Sequence, residues 1–142
     1  MGKKRIVKKG GEGDKAAGQG SARAPRRKLE RGRVYVEATY NNTKMSLADD
    51  GGNIILWSSS GSLGFSGAKK GTPFAAAKVG ELLGEKATQM GMKEASVVVS
   101  GVGAGRESSI RGFAGKGIHI SAIKDTTPVP HNGPRPPRPR RV

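Results

Sequence analysis

Residues 94–117, EASVVVSGVGAGRESSIRGFAGKG, constrain the fold more than any other stretch. They open on Val97, Val98 and Val99. Adjacent β-branched residues without polar alternation predict a strand buried on both faces. Gly101, Gly103 and Gly105 follow at alternate positions, then Arg106 and a polar segment over 107–113 that can start a helix. Strand, glycine loop and helix start form a unit whose backbone amides can gather an anion. Arg106 would add a planar fork suited to phosphate. The competing reading is a tight structural turn. The nucleotide fingerprints do not apply: Arg106 stands where G-x-G-x-x-G requires its last glycine, and G-x-x-x-x-G-K-[ST] occurs nowhere in the chain. Glu107 lies four residues before Arg111, which predicts an intrahelical ion pair for that arginine.

Upstream, residues 34–58 read as a three-stranded antiparallel meander. Val34, Val36, Ala38 and Tyr40 alternate with Tyr35, Glu37 and Thr39, the period of a strand. Asn41-Asn42 predicts a tight turn, because asparagine tolerates left-handed backbone. Met45 and Leu47 share a face of the second strand, and the run Asp49-Asp50-Gly51-Gly52-Asn53 gives the second turn. Trp57 could stack on a base, but its place beside Ile54, Ile55 and Leu56 assigns it to the core.

Residues 58–72, SSSGSLGFSGAKKGT, form a long loop carrying Phe65 and the pair Lys69-Lys70. A loop of this length is functional or flexible, and this one suits a backbone lying along phosphates. It ends in a helix start, with Thr72 as N-cap and Pro73 at the first position. The helix is expected to reach residue 90 and stop at Gly91, with Ala75, Val79, Leu82, Leu83 and Met90 facing the core. Ala76, Gly80 and Gly84 make a line of small residues. Glycine inside a helix costs up to about 1 kcal/mol, so the line predicts close approach by another backbone, of the sheet or of a nucleic-acid strand. Ile118, Ile120 and Ala122 alternate in a last strand. His119 has no acid or nucleophile at a telling spacing, which leaves packing or an RNA contact.

Charge narrows the function. The net charge is +15, with 12 Lys/Arg against 3 acids in residues 1–33, 10 against 8 in residues 34–125, and 4 against none after that. A nearly neutral body thus lies between two cationic tails, both expected to be disordered when free. Six prolines after Asp125 make the C-terminal tail extended and stiff. Nucleic acid is the polyanion this points to, with an anionic membrane as the alternative. No segment is apolar enough to span a bilayer and no secretory signal opens the chain. There is no cysteine, so disulfides and thiolate metal sites are excluded, in keeping with a cytosolic protein.

The order β-β-β-α-β-α-β predicts an α/β fold with a mixed sheet, three antiparallel strands plus two βα crossover units. Ribonuclease-H-like folds have this order, so a two-metal nuclease must be weighed. Its carboxylates would be Glu37, Asp49, Asp50 and Asp125, which form no convincing cluster, and no catalytic residue, metal site or cofactor is assigned.

Over roughly residues 29–142 the sequence closely resembles the bacterial small-ribosomal-subunit protein eleven family. The match is carried by Tyr40-Asn41-Asn42-Thr43, by Gly64-Phe65 with Gly71-Thr72-Pro73-Phe74-Ala75-Ala76, and by Gly103-Ala104-Gly105-Arg106-Glu107. Asp125-Thr126-Thr127-Pro128 and His131-Asn132-Gly133 with the Arg/Pro end complete it. Gly71, Val102 and Pro134 depart from the usual Ser, Pro and Cys. The resemblance implies a ribonuclease-H-like fold without catalysis. It also implies a place on the small-subunit platform against rRNA, small-subunit proteins six, eighteen and twenty-one as neighbours, and messenger RNA nearby where the Shine–Dalgarno duplex forms. It further implies isoaspartate at Asn132.

The expected organisation is a basic extension over 1–28, an rRNA-binding domain over 29–125 and an RNA-binding tail over 126–142. The expected RNA contacts are Lys3, Lys4, Arg5, Lys8, Lys9, Arg26, Arg27 and Lys28 in the extension. In the domain they are Asn41, Asn42, Lys44, Gly64, Phe65, Lys69, Lys70, Thr72, Arg106 and Lys116. In the tail they are His131, Arg135, Arg138, Arg140 and Arg141.

Overall fold

The computed structural model describes residues 28–139 and 141. Five strands and two helices follow in the order β1 (Arg31–Ala38), β2 (Thr43–Ala48), β3 (Ile54–Ser59), α1 (Pro73–Gln89), β4 (Glu94–Ser100), α2 (Arg106–Ala114) and β5 (His119–Asp125). They build one five-stranded sheet ordered β3-β2-β1-β4-β5. The first three strands pair antiparallel, while β4 joins β1, and β5 joins β4, in parallel. The three-strand meander and two crossover units expected from the sequence are therefore both present.

Among the described residues, only one face of the sheet is covered by helices. Val34, Val36, Met45, Leu47, Ala95, Val97 and Val99 point to that face and share a core with Val79, Leu83, Ala87 and Phe113 of the helices. The alternate residues Arg33, Tyr35, Glu37, Lys44 and Val98 fall on the other side, where none of them is fully buried. This corrects one expectation: Val98 is half-buried, so β4 is not enclosed on both faces. Its neighbours are β-branched because a central parallel strand needs packing on the helix side alone here.

Four further expectations are corrected. Tyr40 lies beyond the end of β1, in the turn, and is 78% exposed. That turn is closed by Thr39, whose hydroxyl accepts from the Asn42 amide at 3.1 Å, and it needs no left-handed asparagine. Among the described residues Asn132 is the non-glycine with positive φ. In β5 the alternation breaks at a bulge opposite Ala95/Ser96, which moves Ala122 to the open face beside Ser96. Trp57 is not core: it is 59% exposed, on the open face of edge strand β3. Four apolar residues in a row suggested burial, but an edge strand covered on one side can bury only alternate members.

The helices lie against each other at unusually short range. A Cβ on Gly80 would stand 2.2 Å from the Ser109 carbonyl oxygen, and one on Gly112 would stand 2.5 Å from that of Ala77. The small-residue line on α1 thus faces α2 rather than the sheet or an outside strand. Ser109 is fully buried at this crossing and turns its hydroxyl onto the Arg106 carbonyl at 3.0 Å. With no side chain at either glycine, the two helices sit side by side over the five-stranded sheet. The expected pair Arg111–Glu107 forms on the outer face of α2 at 3.7 Å.

Gly80→Ala should destabilise the full chain by about 2 kcal/mol, since overpacking against backbone outweighs the gain of about 1 kcal/mol in helix propensity. Urea unfolding checks this; a neutral or stabilising result would mean the helices do not approach as closely as described.

Candidate nucleic-acid interface

The carboxyl ends of β1, β3, β4 and β5 lie at the same end of the sheet, because these strands run in one direction. Loops emerging there are the usual place for ligands in open α/β sheets. Three of them meet. The hairpin turn, residues 39–42, is flanked on one side by the glycine-serine loop: a Cβ on Gly71 would stand 2.2 Å from the Tyr40 carbonyl oxygen. On the other side it meets the 101–105 loop, where the Gly103 amide donates to the Ala38 carbonyl at 2.8 Å. Gly101 takes φ +97 there, a conformation that favours glycine. Gly105 sits against Thr43 and Ala76, which links this loop to the first turn of α1.

Both helices begin at this end. The α1 start is capped as expected: the Ala75 amide donates to the Thr72 hydroxyl at 3.4 Å, and that hydroxyl donates to the Lys69 carbonyl at 2.7 Å. The loop before it is shorter than the sequence suggests. Strand β3 runs on to Ser59, and Gly67–Gly71 forms a short 3-10 helix carrying Lys69 and Lys70 in its last turn. Lys69 is exposed and Lys70 half-buried. The two cations therefore precede the α1 N-terminus, whose dipole end favours anions. Asn41 and Lys44 are exposed on the adjoining hairpin, and Asn42 is half-buried. Gly64 is exposed with φ +95.

Some expected contacts have partners within the chain. Phe65 packs edge-on against Phe74, with ring centroids 6.1 Å apart. Lys116 lies at the far end of α2 and pairs with Glu85 at 2.8 Å, away from the loop cluster.

Arg106 is held by three groups. Its guanidinium donates to the Gly101 carbonyl oxygen, to the Thr127 hydroxyl at 3.1 Å and to Asp125 at 2.5 Å. Asp125 in turn accepts from the Thr127 amide at 2.9 Å and the Thr127 hydroxyl at 2.6 Å. The Thr126 amide adds a bond to Val99 O at 2.9 Å. Arginine, aspartate and threonine thus tie the root of the C-terminal segment to the glycine loop. The sequence could not show this, because Arg106 and Thr127 are 21 residues apart.

The described residues beyond Thr127 are exposed and without helix or strand, with His131, Arg135, Arg138 and Arg141 among them. Lys28 is also exposed. Lys3, Lys4, Arg5, Lys8, Lys9, Arg26, Arg27 and Arg140 lie outside the described residues.

The carboxylates weighed for a nuclease are dispersed into other work. Asp125 is in the anchor, and Asp49 accepts the Asn53 amide at 2.9 Å to close its turn. Among the described residues no three of His, Cys, Asp and Glu gather to hold a metal ion, and no helix there is long and apolar enough to cross a membrane.

Residues 32–141 match the model of the ribosomal protein S11 family. This chain belongs to that family. It is 49% identical over 123 residues to small ribosomal subunit protein uS11 of Gloeobacter violaceus, covering 87% of this chain and 95% of that protein. It is 50% identical over 117 residues to uS11 of Solibacter usitatus, covering 82% and 87%. The family is a structural component of the small ribosomal subunit, working in translation and not as an enzyme. Loops that present cations and amides without assembling a catalytic group fit a family of that kind.

The anchor has a defined acid limit. The Thr127 hydroxyl and amide, and then Arg106, hold the Asp125 carboxyl at about 2, below its ordinary 3.8. A carboxylate depressed on folding stabilises its contact above the ordinary value and loses that contribution as pH falls through the folded one. The anchor should therefore hold above pH 3.8 and release on the way down to about 2. NMR titration of the Asp125 carboxyl and the Thr127 amide checks this; an Asp125 midpoint at or above 3.8 would rule the anchor out.

Proposed function

We propose that the chain binds small-subunit rRNA through the loop end of its sheet and guides its C-terminal segment along the same RNA. The observation that carries this is the convergence of Lys69, Lys70 and the α1 N-terminus with the 39–42 turn and the root of the arginine-bearing segment. Two lysines at a helix start offer phosphate both point charge and oriented amides. Asn41, Asn42, Lys44, Gly64 and Thr72 border this surface and complete its phosphate and sugar contacts. Arg106 acts first by fixing where the tail leaves the body, and its guanidinium, 30% exposed, retains an edge toward a phosphate. Arg135, Arg138, Arg140 and Arg141 then follow the RNA backbone, with His131 at the bend. The basic residues of the first 28 positions add contacts of the same kind, and Lys116 joins from the far end of α2 when its partner carboxylate is screened.

The sheet order 3-2-1-4-5, with the second strand antiparallel, fits a ribonuclease-H-like scaffold used for binding. By family resemblance the chain occupies the platform of a cytoplasmic small subunit, beside proteins six, eighteen and twenty-one. There it helps form the region where messenger pairs with rRNA.

Replacing Lys69 and Lys70 together with alanine should leave the fold intact and weaken binding to small-subunit rRNA. Each lost phosphate contact should lower the log–log salt slope by roughly 0.7 to 0.9. An unchanged slope would remove these lysines from the interface.

Asn132 precedes Gly133, whose lack of a side chain leaves its backbone nitrogen open to attack the Asn132 side-chain carbonyl; ammonia leaves as the succinimide closes, and water opens that ring to aspartate or isoaspartate. Asn132 is exposed and left-handed at φ 51. Mature subunits should carry isoaspartate there in part, and electron-based peptide fragmentation checks it; only intact asparagine would refute it.

A further inference from the structure

We propose that the open face of the sheet is a second RNA surface, a platform on which unpaired bases stack on Trp57 and Tyr35. The inference deepens the RNA-binding reading above and rests on it. The strand registers set one rank of residues across all five strands. Trp57 pairs with Ser46, Ser46 with Tyr35, Tyr35 with Val98, and Val98 with Lys124. All five lie on the side the helices leave bare. Strands are about 4.8 Å apart, so the two aromatic residues, two strands apart, are separated by roughly 10 Å.

Each aromatic borders its own hollow. Trp57 and Ile54, which is 62% exposed, flank one of about 200 Å³ together with Lys44 and Ser46. Tyr35 lines a larger groove of about 440 Å³ with Arg33, Val98 and Lys124. Arg33 donates to the Tyr35 hydroxyl at 3.4 Å, which holds a cation at the rim of the ring. Each of the two aromatics thus has a cation lining its hollow: Lys44 near Trp57, and Arg33 and Lys124 near Tyr35. Glu37, beside Lys44 in the register, and Glu94, paired with Arg31 at 3.2 Å, are the carboxylates these strands turn to this face.

This composition decides between kinds of occupant. A protein interface buries a continuous apolar core. Here the apolar groups are interrupted: Trp57 and Ile54 on β3 are separated by Ser46 of β2 from Tyr35, Val98 and Ala122 on β1, β4 and β5, with Arg33 and Lys124 among them. Single-stranded RNA needs separated π-faces for splayed bases, cations for the intervening phosphates, and hydroxyls for base edges. The face supplies all three. The surface is distinct from the loop end: Lys69, Lys70 and the helix starts gather phosphates, whereas this face holds bases.

Trp57 is the one tryptophan of the chain, so its emission reports on this face alone. Titrating the full chain with an unstructured single-stranded RNA oligonucleotide should quench Trp57. Trp57→Ala should weaken that binding about 5- to 150-fold, the range expected for one stacked base, and Trp57→Phe should retain most of it. Because stacking carries no charge, the salt slope should stay as in the parent, unlike that of the Lys69/Lys70 variant. RNA bound at parental affinity by Trp57→Ala, or bound without quenching, overturns the platform and leaves the loop-end reading standing. A parent chain that binds no RNA overturns both. Quenching by another small-subunit protein where RNA gives none marks a protein interface and overturns the platform.

Discussion

The contact between α1 and α2 is the constraint on which the rest of the molecule depends. Gly80 and Gly112 bring the helix backbones within a distance that no side chain at those positions would allow. Two helices set so closely cover one face of a five-stranded sheet, and the core from Val34 to Phe113 lies beneath them. The arrangement also fixes both helix starts at the carboxyl end of the parallel strands. A wider crossing would separate α2, and with it the glycine loop, from the hairpin turn.

From that contact follow two surfaces of different chemistry. At the loop end, backbone presses on backbone: Gly71 against Tyr40, Gly103 against Thr39. Packing without side chains leaves amides and small hydroxyls at the surface, with lysines at the margin. The bare sheet face presents side chains instead, because strand alternation sends every second residue outward. Phosphates suit the first surface and bases the second. The Arg106–Asp125–Thr127 anchor joins the loop end to the arginine-bearing segment, so that segment leaves the body at a defined point. Its geometry makes Arg106 a positioning residue before anything else.

Much was legible in the sequence because local rules act over a few residues. Thr72-Pro73 begins a helix because the hydroxyl reaches the third amide and proline needs no donor. Gly91 ends it, and Asp49 to Asn53 turns the chain through a side-chain hydrogen bond. Charge segregation and the glycine loops point to a polyanion without tertiary detail, because both are read from composition and spacing alone. The resemblance to the family added identity, and its motifs lie at the loops that the structure brings together.

What only the tertiary structure decided is which neighbours each residue has. Sequence patterning could not tell that the glycine line of α1 faces α2, because any backbone would satisfy it. It assigned Trp57 to a core, since an apolar run looks alike on a strand buried twice and on an edge strand covered once. It saw Arg106 as a free fork, because its partners Asp125 and Thr127 arrive only when β5 lies down beside β4. The chain by itself determined its order of elements, its helix start and stop, and where its positive charge lies. Long-range packing decided which cations are already paired and which aromatic rings face water, since exposure belongs to the assembled sheet and not to any stretch of it.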